Sequence, residues 1–280
     1  YKAVQECDDC FKTISGWSII DELQKPEETS NIKETYIAQP ANLVIQIGLT
    51  RLLEHYGITA DAVVGHSVGE VASAYVSGAL SLEEALFVSY HRSRLQHKTA
   101  GKGTMLAVGL SEEEAMETIK EYQDVSIGAI NSVDSVTLAG NQERLERLIE
   151  KYEAAGIFHR LLDVVVPYHS PVMHLIEEEL LDSLKNIKGK KTTIDLYSTV
   201  TADKMSGEEM DNNYWWRNVR EPVLFAKTMD SLVRDKYTIF IEVGPHPVLK
   251  NSMMDCMTNN EICHFLQTLN RKESEQLNFF

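Results

Sequence analysis

The chain has 280 residues, 43% hydrophobic and 25% charged, so it can bury a sizeable core as one large domain or a large domain with a smaller companion. Its 27 basic residues against 42 acidic ones leave a formal charge of −15, which argues against a nucleic-acid surface and against general attraction to anionic membranes. No apolar run approaches membrane-spanning length.

The chain begins at Tyr1 without a signal-peptide pattern and reads as part of something longer. A helix broken at Gly16 is expected from Tyr1 to about Leu23. Val4, Cys7, Cys10 and Phe11 share one face of it, so the Cys7-x-x-Cys10 pair reads as small buried apolar residues. With Cys256 and Cys263 far away, the cysteines lack the spacing of a four-thiolate zinc site, and a reducing, cytoplasmic compartment follows. After a charged loop from Gln24 to Glu34, Leu43, Ile47, Leu52 and Leu53 recur at helical intervals over Tyr36 to Tyr56, with Pro40 in the first turn; Gly57 ends the helix.

Next comes Val63-Val64-Gly65-His66-Ser67-Val68-Gly69-Glu70. The β-branched run before it and the helical spacing of Val71, Ala72, Ala74 and Tyr75 after it predict strand, sharp turn, helix. In that context Ser67 is the exposed serine of a nucleophile elbow. Gly65 and Gly69 clear the turn, and the Val68 amide is free to donate to an oxyanion at the positive end of the helix. An ordinary glycine-bracketed turn would look the same locally.

A short helix to Ser77 and a second from Ser81 to His97 follow, the second carrying His91-Arg92-Ser93-Arg94 and continued by His97, Lys98 and Lys102. In so acidic a chain, Arg92 or Arg94 could anchor an anionic acyl group through its planar fork; a solvated helix end is the alternative. From Gly103 to about Val165 the texture changes. Strands are expected over Thr104–Val108, Val125–Ile130, Val133–Ala139 and Phe158–Val164, with capped helices over Ser111–Tyr122 and Asn141–Ala155. The order β-α-β-β-α-β is that of a ferredoxin-like unit, taken here as an insertion over 103–165 within a large domain formed by 1–102 and 166–280.

His169 stands in the proline-bounded loop Val166-Pro167-Tyr168-His169-Ser170-Pro171, where it could serve as base for a serine hydroxyl or make a structural hydrogen bond. A helix over Leu175–Leu184 precedes a basic loop with Lys185, Lys188, Lys190 and Lys191. Thr193–Thr199 and Tyr237–Val243 read as buried strands, Trp215-Trp216 as core, and Ile262–Leu269 as a last strand.

Together these residues resemble the malonyl-CoA:acyl-carrier-protein transacylase family, in particular the acyltransferase domains of animal-like type I polyketide and fatty-acid synthases. The ordered set is Gln39-Pro40-Ala41, Gly65-His66-Ser67-Val68-Gly69-Glu70, Arg92-Ser93-Arg94-Leu95, Val166-Pro167-Tyr168-His169-Ser170, Pro222-Val223-Leu224-Phe225 and Glu242-Val243-Gly244-Pro245-His246, spanning nearly the whole chain. The resemblance implies an α/β, hydrolase-like parallel-sheet domain with an inserted ferredoxin-like subdomain. It implies ping-pong transfer, in which Ser67 takes the acyl group of an acyl-CoA and passes it to the phosphopantetheine thiol of an acyl carrier protein.

By the same resemblance His169 is the general base, needing no third carboxylate, and Arg92 holds the substrate carboxylate, while Arg94 points elsewhere. Gln39, His66, Val68, Tyr168 and Asn131 line the substrate pocket. A bulky aromatic before the base goes with malonyl and a serine with methylmalonyl, so Tyr168 fits malonyl, as does Val68. No metal or redox cofactor is implied. The implied partners are the carrier protein, which the Lys185–Lys191 loop could contact, and a neighbouring ketosynthase in one polypeptide. The family's glycine- and glutamine-rich first loop, source of a second oxyanion amide, has no counterpart here, and impaired folding or turnover is expected of the chain expressed alone.

Three other readings stay open: a methylmalonyl enzyme, a serine hydrolase using Ser67, His246 and Asp230 or Asp235, and a non-catalytic docking module.

Overall fold

Helix α1 (Lys2–Ser15) ends where Gly16 turns left-handed at φ 80°, and Ser18 restarts the chain as α2 (Ile19–Leu23) by accepting from Asp21 N. In this computed structural model, which describes residues 1–257 and 263–271, Cys7 and Phe11 of α1 are buried against α3 (Thr35–His55) and α5 (Leu82–His97). Cys7, Cys10 and Cys256 take part in no disulfide, and burial pushes the Cys7 thiol up to about 12. Pro40 sits inside α3, buried and beyond the first turn in which it was expected. On α5, Ala85, Leu86 and Val88 are fully buried; each large one contributes about 1.5–3 kcal/mol on leaving water.

Between α3 and α5 lie the elbow strand β1 (Ala62–Val64) and α4 (Gly69–Val76). β1 pairs in parallel with β6 (Asp195–Ser198), Val63 opposite Leu196, and β6 pairs antiparallel with β7 (Asp203–Met205), an edge strand the sequence reading lacked. The remaining parallel pair, β8 (Ile239–Glu242) with β9 (His264–Gln267), forms a sheet of its own. β8 is not the buried strand expected: Phe240 is covered, whereas Ile239 is 63% exposed. Ile262, where the last strand was expected to start, lies outside the described residues.

Residues 104–161 supply β2 (Thr104–Val108), α6 (Glu112–Ile119), β3 (Val125–Ser132), β4 (Ser135–Gly140), α7 (Gln142–Ala155) and β5 (His159–Leu161). The strands form an antiparallel sheet in the order β3-β4-β2-β5, the ferredoxin-like arrangement, over a core that also takes in Ala226. β5 is shorter than the strand read over Phe158–Val164, because the ladder with β2 ends at Leu161 and the backbone bends from Asp163 on.

A 3₁₀ turn (Pro171–Ile176) and α8 (Glu177–Ser183) replace the single helix expected there. Helices α9 (Asn212–Arg220), α10 (Phe225–Arg234) and α11 (Lys250–Asp255) complete the described chain. Trp215 is fully buried and Trp216 partly so, as expected of core. The segment joining α9 to α10 is clamped on both sides. Val223 exchanges backbone hydrogen bonds with Gly128 and Ile130 of β3, at 2.9 and 2.8 Å, and Leu224 N donates to Thr199 O at 2.8 Å. That clamp fixes Glu221 beside the loop carrying His169. Among the described residues no helix is long and apolar enough to cross a membrane.

Candidate active site

Ser67 sits at the tip of the strand-to-helix turn with φ 52°, in the left-handed region that costs a non-glycine residue about 1–2 kcal/mol. The turn closes because Gly65 has no side chain: a Cβ there would lie 2.2 Å from Glu70 N. Gly69 corrects the expectation that both glycines are needed, since a Cβ on it would meet nothing within 4 Å. Gly69 N and Glu70 N turn back onto His66 O and Ser67 O, while Val68 begins α4 without a side-chain cap. The Val68 amide is thereby the one left for an oxyanion at this turn.

His169, 3% exposed and also left-handed at φ 60°, brings Nε2 to 2.7 Å from Ser67 Oγ. Its Nδ1 lies 2.8 Å from the Glu221 carbonyl oxygen, which can only accept. Nδ1 therefore carries the proton, and Nε2 is left to accept from Ser67 Oγ–H. Ser126 Oγ donates to the His169 carbonyl at 3.1 Å and pins the loop from the small sheet. Burial, and then the charge of Arg92, pull the imidazole down to about 3, so it is neutral and ready to take a proton at ordinary pH.

Arg92 is 1% exposed. Its Nη2 donates to Ser67 Oγ at 3.0 Å, its Nε to Asn218 Oδ1 at 3.0 Å, and its Nη1 to Gln39 Oε1 at 2.7 Å and Gln96 Oε1 at 3.0 Å. Burial lowers it to about 10, which leaves it cationic at neutral pH. Every one of these partners is neutral. A desolvated cation without a contacting carboxylate is costly, and at 3.0 Å from Ser67 Oγ this one could receive an anion. Arg94 does point elsewhere, pairing with Glu179 at 2.9 Å and with His91.

The other expected pocket residues are placed unequally. Tyr168 Oη hydrogen-bonds Thr35 Oγ1 at 2.7 Å. Asn131 Nδ2 donates to Thr137 Oγ1 at 3.1 Å, which turns its Oδ1 toward His66 Nε2 at 2.9 Å, and the His66 ring lies against Phe225. These contacts shape the wall rather than reach Ser67. The alternative hydrolase set does not come together: Ser67 is bonded to His169, Asp230 is exposed, and Asp235 is taken by Tyr197 Oη. Among the described residues no group of side chains is arranged to hold a metal ion.

Residues 1–280 match the family described as acyl transferase domain. The chain belongs to that family. It is 35% identical to erythronolide synthase EryA2 of Saccharopolyspora erythraea over 255 residues, 91% of this chain and 7% of that protein. It is 34% identical to probable polyketide synthase 23 of Dictyostelium discoideum over 277 residues, 93% of this chain and 11% of that protein. The acyltransferase domain from module 8 of the salinomycin polyketide synthase superposes with a TM-score of 0.95 at 29% identity, covering 99% of this chain and 66% of that one. The chain thus spans a small part of the curated relatives it matches, and it is homologous to the acyltransferase domains of polyketide synthases.

The acyltransferase site contains residues that sequence reasoning missed. Asn218, Gln96 and Thr35 hold the guanidinium and the tyrosine, and Glu221 acts through its carbonyl. Asn218 closely follows the Trp215-Trp216 pair, which the sequence marks only as core. Its only signal was polarity on a face otherwise buried.

Proposed function

We propose that this acyltransferase domain moves a malonyl group from malonyl-CoA to the phosphopantetheine thiol of an acyl carrier protein, through an acyl-Ser67 intermediate, in the cytoplasm as part of a larger synthase with a ketosynthase. The observation that carries the choice of a carboxylated acyl group is the buried guanidinium of Arg92, 3.0 Å from Ser67 Oγ with neutral partners only. Tyr168, its hydroxyl bonded to Thr35, supports malonyl over methylmalonyl, because a bulky aromatic before the base goes with malonyl in the enzymes this chain resembles.

In the first half-reaction Ser67 Oγ attacks the thioester carbonyl while His169 Nε2 takes its proton. The negative charge on the carbonyl oxygen is met by the Val68 amide and the α4 N-terminus. Collapse expels the CoA sulfur, which takes the proton from His169. In the second, neutral His169 accepts the proton of the carrier thiol, the sulfur attacks the acyl-serine, and Ser67 recovers the proton. The pair returns to its starting state. Glu221 O holds Nδ1–H throughout, and the cation of Arg92 binds the malonyl carboxylate and offsets its charge beside the reacting carbonyl.

A lifetime measurement tests the transfer step. Protein loaded with radiolabelled malonyl-CoA and freed of CoA should hold its label in buffer and lose it when pantetheine or carrier protein is added. Equal loss with and without thiol would make the chain a hydrolase instead.

A further inference from the structure

Arg92 can be tuned only through what holds it, and one of its holders also touches the nucleophile's turn. We propose that Asn218 is a positioning residue for acyl selectivity: it locks Arg92 side-on so that Nη2 alone is presented to the substrate carboxylate. The inference rests on the reading of Arg92 as the carboxylate anchor and deepens it.

The orientation of the Asn218 amide follows from chemistry. A guanidinium only donates, so the group facing Arg92 Nε at 3.0 Å must be Oδ1. Nδ2 is then turned the other way, where it donates to Ser67 O at 3.1 Å and to Glu70 Oε2 at 2.8 Å. Both of its N–H bonds are used. Asn218 is 2% exposed and Glu70 1%, so neither can exchange these partners for bulk water.

Glu70 is in turn held by Thr199 N at 2.6 Å and Tyr214 Oη at 2.7 Å, which ties the amide to β6 and to the body of α9. Burial pushes the Glu70 carboxyl above its ordinary range, while these donors pull the other way. The Asn218 side chain thus accepts from the Nε edge of the guanidinium and donates to the main chain of the nucleophile.

A guanidinium has five N–H donors. Asn218 takes the one on Nε, and Gln39 and Gln96 take those on Nη1. What remains is Nη2, of which one N–H already reaches Ser67 Oγ. A carboxylate arriving at the acyl-serine is therefore received at a single nitrogen in a fixed place. Without the Asn218 contact the guanidinium can rotate about its long stem, and Nη2 no longer marks one spot. An aspartate at the same position would keep the acceptor but set a carboxylate on Nε, answering the buried charge that otherwise awaits the substrate.

The test measures kcat and KM for malonyl-CoA and acetyl-CoA in the purified protein and in Asn218→Leu, Asn218→Asp, the double variant Glu70→Gln/Asn218→Asp, and Arg92→Ala. In the double variant the amide introduced at position 70 can donate to the carboxylate introduced at position 218, which keeps that contact if a single variant fails to fold. The expected result is a fall of about tenfold or more in the malonyl-to-acetyl ratio of kcat/KM, carried by KM for malonyl-CoA, in each folded Asn218 variant. Equal loss on both substrates, or loss in kcat alone, would overturn the proposal by making Asn218 a plain structural support of the elbow. Arg92→Ala separates the two layers. If it lowers the ratio and no Asn218 variant does, Asn218 is not the positioning residue; if it leaves the ratio unchanged, the reading of Arg92 itself fails.

Discussion

The carbonyl oxygen of Glu221 lies 2.8 Å from Nδ1 of His169, so the imidazole is oriented by main chain and not by a carboxylate. The two come together because Val223 is paired to β3 and Leu224 to Thr199, which holds the peptide after α9 against the histidine loop. Protonation of the imidazole gains no ion pair from a carbonyl, and Arg92 opposes it. The site is therefore built around a neutral histidine.

Replacing that histidine should be severe and specific. His169→Gln is expected to lower the rate of Ser67 acylation by roughly 10²–10⁴ while leaving the melting temperature near the parent value, as read by rapid-quench acylation and calorimetry. A loss of less than threefold would mean that another group takes the serine proton.

The pH dependence follows from the same histidine and from His91, which burial and Arg94 lower to about 4. Both native values lie below the ordinary 6.5, so the unfolded chain binds protons that the folded chain refuses. Stability is full above about pH 6.5 and is lost as pH falls toward the native values, on the order of 1–2 kcal/mol apiece by about pH 5. Denaturant melts across that window should show the decline. The acylation rate itself should carry no limb near 6.5, because His169 stays neutral there.

The elbow glycines should part company. Gly65→Ala forces a Cβ to within 2.2 Å of Glu70 N and is expected to cost more than about 3 kcal/mol, seen as loss of a cooperative melt. At Gly69 a Cβ meets open space in the first turn of α4, and Gly69→Ala should leave the melt unchanged or raise stability by up to about 1 kcal/mol.

The proposed preference for malonyl rests on Tyr168. Tyr168→Ser removes the ring and its bond to Thr35, and should raise the methylmalonyl-to-malonyl ratio of kcat/KM by about tenfold. Thr35→Val keeps the ring but frees the hydroxyl, so a shift of about two- to threefold in the same direction is expected. Competition assays with both thioesters would read either change.

What was legible in the sequence was the chemistry attached to short motifs. Gly65 to Glu70, Arg92 and His169 could each be found because their residue types are unusual for their surroundings, and the β-α-β-β-α-β texture of 103–165 showed through its alternating periods. Less visible were features decided by tertiary contact. Whether Gly69 was needed depended on the path of α4, and β8 read as buried from its apolar composition although Ile239 is exposed. Asn218 and the Glu221 carbonyl could not be chosen from sequence, because an amide in a helix and a peptide oxygen carry no signature until packing shows what they face.

The most direct test of the account is intact-protein mass after brief exposure to malonyl-CoA or acetyl-CoA, for the purified protein, Ser67→Ala and Arg92→Ala. A malonyl adduct is expected on the parent protein, no adduct on Ser67→Ala, and a shift of preference toward acetyl on Arg92→Ala. A malonyl adduct that survives in Ser67→Ala, or an Arg92→Ala variant with unchanged preference, would contradict it.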